Sequence, residues 1–170
     1  RFNTVVAATR STAISNYLMD VPTDCPHREK RGWTGDSLAA HTALASFFDM
    51  RATWTKWVED MLYQQSMMSP VGTMSTIVPC IFDGGYRCRN DPRQQGKHQP
   101  PRSVFADVAW GSVLPILGAY TAALTGDARF AARTAVGAGA YVELLHSYAN
   151  GGPNSAHARL PGLLNYSSWP

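Results

Sequence analysis

The 170-residue sequence predicts an all-α fold. Five segments carry apolar residues at the three-to-four spacing that places them on one face of a helix. Only the run from Thr76 to Phe82 has the composition of a β-strand, and Pro79 interrupts it. Apolar residues make up 45% of the chain and charged residues 16%, so the sequence supports a packed core and argues against disorder.

The first half of the chain contains three of the predicted helices. The first covers residues 1–19 and ends before Pro22 and Pro26. A connector over 20–36 leads to a second helix over 37–49 and a third from 51 to about 65. The apolar stripe of the third helix consists of Trp54, Trp57, Val58, Met61 and Leu62.

The second half contains one long irregular segment and two further helices. Residues 66–106 are rich in Pro and Gly, and a loop of this length inside a compact domain is usually functional. The fourth helix is predicted from 107 to about 124 and the fifth over 127–148. Gly126 and Asp127 mark the break between them, with Asp127 as a candidate helix cap. Gly137 and Gly139 indicate close helix packing within the fifth helix rather than a dinucleotide-binding loop.

The net charge of +3 is concentrated in one segment. Residues 84–104 hold five basic residues and one acidic residue, and the rest of the chain is close to neutral. Aromatic residues are nearly absent there, so we expect a solvated loop and no nucleic-acid partner. We also expect no membrane partner, because we find no apolar run approaching the roughly 18–20 residues of a membrane helix.

Cysteine and histidine positions predict neither a disulfide framework nor a metal site. The three cysteines, Cys25, Cys80 and Cys88, are few and scattered, and the five histidines lack metal-ligand spacing. We therefore expect no metal and no cofactor. This composition leaves extracellular and cytoplasmic locations both open, and it leaves the oligomeric state open.

The connector over 20–36 concentrates the residues that are capable of chemistry. Its four carboxylates are interleaved with Arg28 and with Trp33, which lies between two glycines. Carboxylates accept hydrogen bonds from sugar hydroxyls, and an indole offers a flat apolar face to a sugar ring. A carboxyl crowded by other carboxylates can remain protonated and act as a general acid.

Each of these residues also has a purely structural interpretation. Asp36 is a candidate helix cap, Asp24 a candidate turn residue and Trp33 a candidate core residue. The charged residues around Glu29 are compatible with a solvated cluster. The residue types alone leave the catalytic and the structural interpretations about equal.

Residues 24–36, with the sequence DCPHREKRGWTGD, resemble the signature of bacterial and fungal α-L-rhamnosidases, glycoside hydrolase family 78. The segment departs from the signature at His27, where Gln is usual, and around Lys30 and Arg31. Shorter similarities keep the family's order: one precedes this segment, at 12–23, and others follow it, at 47–60, 77–79, 110–112 and 126–127. At Ser112 an acid is common in the family, so no polar role is carried onto this residue.

The resemblance implies an (α/α)6 barrel that releases terminal α-L-rhamnose with inversion. It makes Glu29 the general acid that protonates the glycosidic oxygen. The residues that it places in the substrate-binding site are Asp24, Arg28, Trp33, Asp36, Asp107 and Trp110. The expected substrate is accordingly a rhamnose-containing glycoside or oligosaccharide.

Inverting glycosidases also need a second carboxyl that activates water. In the family this base is a Glu on a loop far toward the C-terminal end of the barrel, and neither Glu59 nor Glu143 has a matching context. We therefore expect the base outside this chain. We interpret residues 1–170 as the N-terminal part of the barrel, truncated at both ends and inactive in isolation. The alternatives are a non-catalytic carbohydrate-binding remnant and a related (α/α)6 glycosidase acting on another sugar.

Overall fold

The computed structural model describes residues 1–18, 21–68, 71–79 and 108–149. Within these ranges the chain is mostly helical and has almost no β-strand, which confirms the all-α prediction. The helices are α1 (Phe2–Ser15), α2 (Thr34–Phe47), α3 (Arg51–Ser66), α4 (Val108–Gly111), α5 (Val113–Thr125) and α6 (Ala128–Ala149). A short antiparallel pair joins β1 (Tyr17–Leu18) to β2 (Val21–Pro22).

The first helix ends earlier than predicted, at Ser15 rather than at residue 19. The Asn16 side chain donates to the carbonyl oxygen of Thr12 at 2.9 Å, and the Asn16 carbonyl accepts from the backbone N–H of Thr23 at 2.7 Å. These bonds turn the chain back on itself, so that Tyr17 pairs with Pro22. The prediction of helix was therefore wrong for residues 16–18.

The buried core lies between α3, α5 and α6. Trp54, Trp57, Val58 and Met61 are buried on α3, which confirms most of its predicted stripe. They pack with buried residues of α5 and α6, namely Val113, Leu114, Leu117, Phe130 and Tyr141.

Of the two glycines in the fifth predicted helix, only Gly137 lies at a close helix contact. A Cβ there would overlap Leu62 and lie 2.9 Å from Oε1 of Gln65, whereas a Cβ on Gly139 would meet nothing within 4 Å. The packing prediction is therefore correct for Gly137 and wrong for Gly139.

The fourth predicted helix is divided at Ser112 into α4 and α5. Gly126 ends α5 in the left-handed conformation, with φ of 67°, and Asp127 caps α6 as predicted. Its Oδ1 accepts hydrogen bonds from the N–H groups of Arg129, at 2.8 Å, and Phe130, at 3.0 Å.

Residues Val108–Thr125 form an 18-residue stretch with a mean hydropathy of 1.4. By length and composition this stretch is able to cross a membrane, which corrects the expectation that no apolar run approaches that length. One third of it is buried in the fold, through residues such as Leu114 and Leu117. Core helices of this kind pass the same test, so the observation is only weak support for a membrane span.

Candidate active site

The connector folds into a loop that Asp24 and Arg31 close. The N–H of Asp24 donates to the carbonyl of Arg31 at 3.0 Å, and the N–H of Arg31 donates to Oδ1 of Asp24 at 3.1 Å. Lys30, just before Arg31, has a φ of 55°, in the left-handed region that non-glycine residues seldom occupy. The loop between the two ends carries Arg28 and Glu29, which are therefore held next to the start of α2.

A second segment, residues 71–79, fixes the end of the connector. The carbonyl oxygen of Thr76 accepts from the N–H and the hydroxyl of Thr34, at 2.9 and 3.1 Å. The N–H of Val78 donates to the carbonyl of Gly32 at 2.9 Å, and Trp57 Nε1 donates to the carbonyl of Val78 at 2.8 Å. The predicted β-like run begins here, but its described part makes only an isolated bridge between Ile77 and Trp33.

Because Thr34 is held in this way, α2 begins three residues earlier than predicted, with Trp33 at its N-cap position. Asp36 therefore lies in the first turn and is not the cap. A carboxylate in that turn is favoured by the positive end of the helix dipole. The helix start thus presents Trp33 and Asp36 beside the loop that carries Glu29.

The Glu29 carboxylate is half-buried and each of its oxygens has a partner. Oε1 lies 2.7 Å from a guanidinium nitrogen of Arg28, and Oε2 accepts from Trp33 Nε1 at 3.0 Å. The exposed fraction is 28% for the Glu29 side chain and 75% for that of Arg28. The backbone N–H of Glu29 donates to the sulfur of Cys25 at 3.1 Å.

Two further carboxyls of this site have pKa values shifted in opposite directions. Desolvation raises the pKa of Asp24, but hydrogen bonds from Arg31 and Cys25 outweigh it, so the pKa lies below its usual value. The pKa of Asp36 is raised, first by desolvation and then by the negative charges of Asp24 and Glu29. The folded protein therefore disfavours the charged form of Asp36 and favours the charged form of Asp24.

A cleft of about 420 Å³ opens beside the first turn of α2. A volume of this order suits a small ligand. A Cβ on Gly35 would lie 2.6 Å from Cδ2 of Trp110, so the absence of a side chain lets the indole lie against α2. The cleft is lined by Gly35, Asp36, Leu38, Ala39, Ala109 and Trp110.

Most of the residues that the sequence analysis places in the site lie close together. The loop and the start of α2 hold Asp24, Arg28, Glu29, Trp33 and Asp36, and α4 carries Trp110. Of these residues, Asp36 and Trp110 line the cleft, whereas Asp24, Arg28, Glu29 and Trp33 are not among its lining residues. Asp107 lies outside the described residues, as do Cys80, Cys88 and the basic segment 84–104.

The described residues contain no cluster of His, Cys, Asp and Glu that could hold a metal ion. The sequence does not indicate Cys25 as a partner of Asp24 and Glu29, nor the segment 71–79 as the support of the loop. For the contacts of Cys25, the sequence offers only the Cys-Pro step inside the signature. The support of the loop is a contact across more than forty residues, which no local pattern encodes.

Comparison with known proteins finds similarity to α-L-rhamnosidases. The family model described as the bacterial alpha-L-rhamnosidase 6 hairpin glycosidase domain matches residues 1–163. A curated alpha-L-rhamnosidase from Formosa agariphila is 36% identical over 130 residues, which cover 74% of this chain and 12% of the relative. The chain thus spans about an eighth of the length of that relative. No solved structure matches the chain.

Proposed function

The chain belongs to the family of bacterial α-L-rhamnosidase six-hairpin glycosidase domains, and we propose that the protein hydrolyses rhamnosides, releasing terminal α-L-rhamnose with inversion. The described helices would then be the first part of an (α/α)6 barrel. The observation that carries the proposal is the placement of Glu29, a half-buried carboxyl in a closed loop beside Asp24 and Asp36.

Glu29 is the proposed general acid. In the reaction its carboxyl gives a proton to the glycosidic oxygen as the bond to the anomeric carbon breaks and its electron pair moves to that oxygen. A water molecule attacks the opposite face of the sugar and loses its proton to a second carboxylate. The products are rhamnose of inverted anomeric configuration and the free alcohol.

The neighbouring side chains have the chemistry to bind a sugar. The charged carboxylates of Asp24 and Asp36 accept hydrogen bonds from hydroxyls, and Arg28 donates them. The indole of Trp110 gives the cleft an apolar surface for the C–H face of the ring. Asp107, next to the start of α4 in the sequence, remains a proposed member of this set.

Neither Glu59 nor Glu143 is proposed as the base. Glu59 forms an ion pair with Arg133 between α3 and α6, and its Oε1 accepts from Arg133 Nε at 3.2 Å. Glu143 is exposed on α6. We therefore place the water-activating carboxyl outside these 170 residues.

The decisive experiment measures hydrolysis of phenyl α-L-rhamnoside by the full-length protein that carries this chain. We expect proton NMR to show the β-anomer of rhamnose first, as inversion requires. Glu29→Gln should lose about 10²–10⁴-fold in kcat, the usual contribution of a general acid. Glu59→Gln, the same change at the ion pair with Arg133, should keep the activity.

Three outcomes would contradict the proposal. A fully active Glu29→Gln protein would remove the general acid. Binding of rhamnose without hydrolysis of any rhamnoside would identify a carbohydrate-binding protein instead. Release of a different sugar would place the protein among related (α/α)6 glycosidases.

A further inference from the structure

We propose that Trp33 is a positioning residue for Glu29, holding Oε2 so that Oε1 is the oxygen that carries and delivers the proton. This inference rests on the proposed role of Glu29 as general acid. It differs from the sugar-lining role that the family resemblance implies for Trp33.

The indole of Trp33 is attached to a fixed piece of backbone. Trp33 is the N-cap residue of α2, its N–H donates to the carbonyl of Arg31 at 2.9 Å, and it is bridged to Ile77. From this position Nε1 reaches Oε2 of Glu29 at 3.0 Å. Because α2 and the segment 71–79 both hold this backbone, the hydrogen bond fixes one oxygen of a carboxyl that lies on a loop.

Hydrogen-bond chemistry then assigns the two oxygens. An indole N–H only donates, so Oε2 must accept and cannot direct a proton toward Trp33. The proton needed for general acid catalysis is therefore placed on Oε1. The two-fold ambiguity of the carboxyl is removed before substrate binds, and orientation of this kind is what makes proton transfer efficient.

Arg28 occupies Oε1 in the structure and must leave this oxygen before Oε1 can carry the proton. A guanidinium also only donates, so Oε1 cannot carry a proton directed at Arg28 while the 2.7 Å ion pair persists. The Arg28 side chain is 75% exposed and projects from a loop, whereas the Trp33 backbone is held on both sides. We therefore infer that Arg28 moves to a substrate hydroxyl, after which Oε1 takes a proton from solvent and passes it to the glycosidic oxygen.

The test compares two substrates that differ only in leaving group. Phenolate is a poor leaving group and needs protonation, whereas dinitrophenolate leaves without it. In the full-length protein, Trp33→Phe keeps an aromatic ring and removes the N–H donor. We expect kcat for phenyl α-L-rhamnoside to fall about tenfold or more. The upper limit is the about 10²–10⁴-fold that complete loss of general acid catalysis would cost. For dinitrophenyl α-L-rhamnoside we expect a change of about twofold or less, since no proton transfer is needed.

Two controls separate positioning from general damage. Trp110→Phe alters the cleft-lining tryptophan and should change KM, lowering kcat/KM of both substrates by the same factor. Replacement of Trp33 by benzothienylalanine puts sulfur in place of the N–H at nearly the same shape. This variant should lower kcat for the phenyl substrate and leave the dinitrophenyl substrate nearly unchanged, even if the smaller ring of Trp33→Phe unfolds the loop.

The outcomes are distinguishable from those of the functional proposal. One outcome is that Glu29→Gln shows the leaving-group difference but both Trp33 replacements lower kcat equally for the two substrates. The positioning role of Trp33 is then refuted, and the assignment of Glu29 as the general acid stands. If Glu29→Gln shows no leaving-group difference, the assignment of the acid itself fails.

Discussion

Replacement of Gly32 by alanine should detach the connector from the segment that supports it. A Cβ at this position would overlap the carbonyl oxygen of Val78 and lie 2.7 Å from Cγ1 of Val21. The first of these atoms belongs to the backbone, so no side-chain rotation relieves the overlap. The Val78 oxygen would have to retreat to at least 3.0 Å, the shortest separation that real Cβ atoms tolerate.

The cost follows from the bonds that this movement breaks. The N–H of Val78 would lose the carbonyl of Gly32, and Trp57 Nε1 would lose the carbonyl of Val78. Two hydrogen bonds at about 0.5–1.5 kcal/mol each, with about 1–3 kcal/mol for overpacking, give about 2–6 kcal/mol. Even the lower limit of about 2 kcal/mol raises the population of the opened loop about 30-fold.

Hydrogen exchange followed by mass spectrometry measures this opening directly. In the full-length Gly32→Ala protein, the amides of Thr34 and Val78 should exchange at least about 30-fold faster, while those of α6 keep their protection. The matched control is Gly139→Ala, where a Cβ meets nothing within 4 Å. This second change should stabilise α6 by up to about 1 kcal/mol, since glycine is unfavourable within helices. Unchanged exchange at residues 34 and 78 would refute the close approach of connector and support.

Two further predictions concern the cleft and the carboxyls. Gly35→Ala should push the Trp110 indole out of the cleft and raise KM for phenyl α-L-rhamnoside about twofold to 12-fold, as loss of about 0.5–1.5 kcal/mol of ring contact implies. An unchanged KM would contradict this. Asp24→Asn should destabilise the protein at neutral pH, because the pKa of Asp24 is lowered, and its effect should vanish as pH falls below the usual 3.8. Asp36→Asn should stabilise at neutral pH, because the pKa of Asp36 is raised, and the gain should vanish as pH falls through that raised value toward 3.8. Partial exposure limits the effect of each carboxyl on the free energy of unfolding to less than about 1 kcal/mol. The measurement is the unfolding midpoint of each variant against pH, and shifts in the same direction for both variants would contradict these two predictions.

The helices with long apolar stripes could be predicted from the sequence. The stripe from Trp54 to Met61 predicts α3 and its buried face, because apolar residues that recur every three to four positions lie on one face of a helix. The Gly126-Asp127 pair specifies the junction of α5 and α6 through local chemistry, a left-handed turn and a cap. These features depend on residues close together in the chain.

The missed features depend on distant residues. The sequence predicts that α2 begins at residue 37, yet Thr34 donates to the carbonyl of Thr76 and the helix begins at Thr34. The same advance changed Asp36 from a cap into a residue of the first turn. The sequence therefore indicates a set of candidate site residues but not the contacts that distinguish one from another.

That division is clearest for the two aspartates that the family resemblance assigns to one role. The Asp24 carboxylate accepts from the N–H of Arg31 and from Cys25, so its charge is already used to close the loop. The Asp36 carboxylate lines the cleft, and desolvation and the charges of Asp24 and Glu29 oppose its ionisation. Hydrogen bonds that sugar hydroxyls donate to Asp36 would offset that cost. Hydrogen bonds donated to Asp24 would instead compete with those that hold the loop of Glu29 in place. We therefore expect substrate to contact Asp36 directly and Asp24 to act mainly by preserving the loop that carries the general acid.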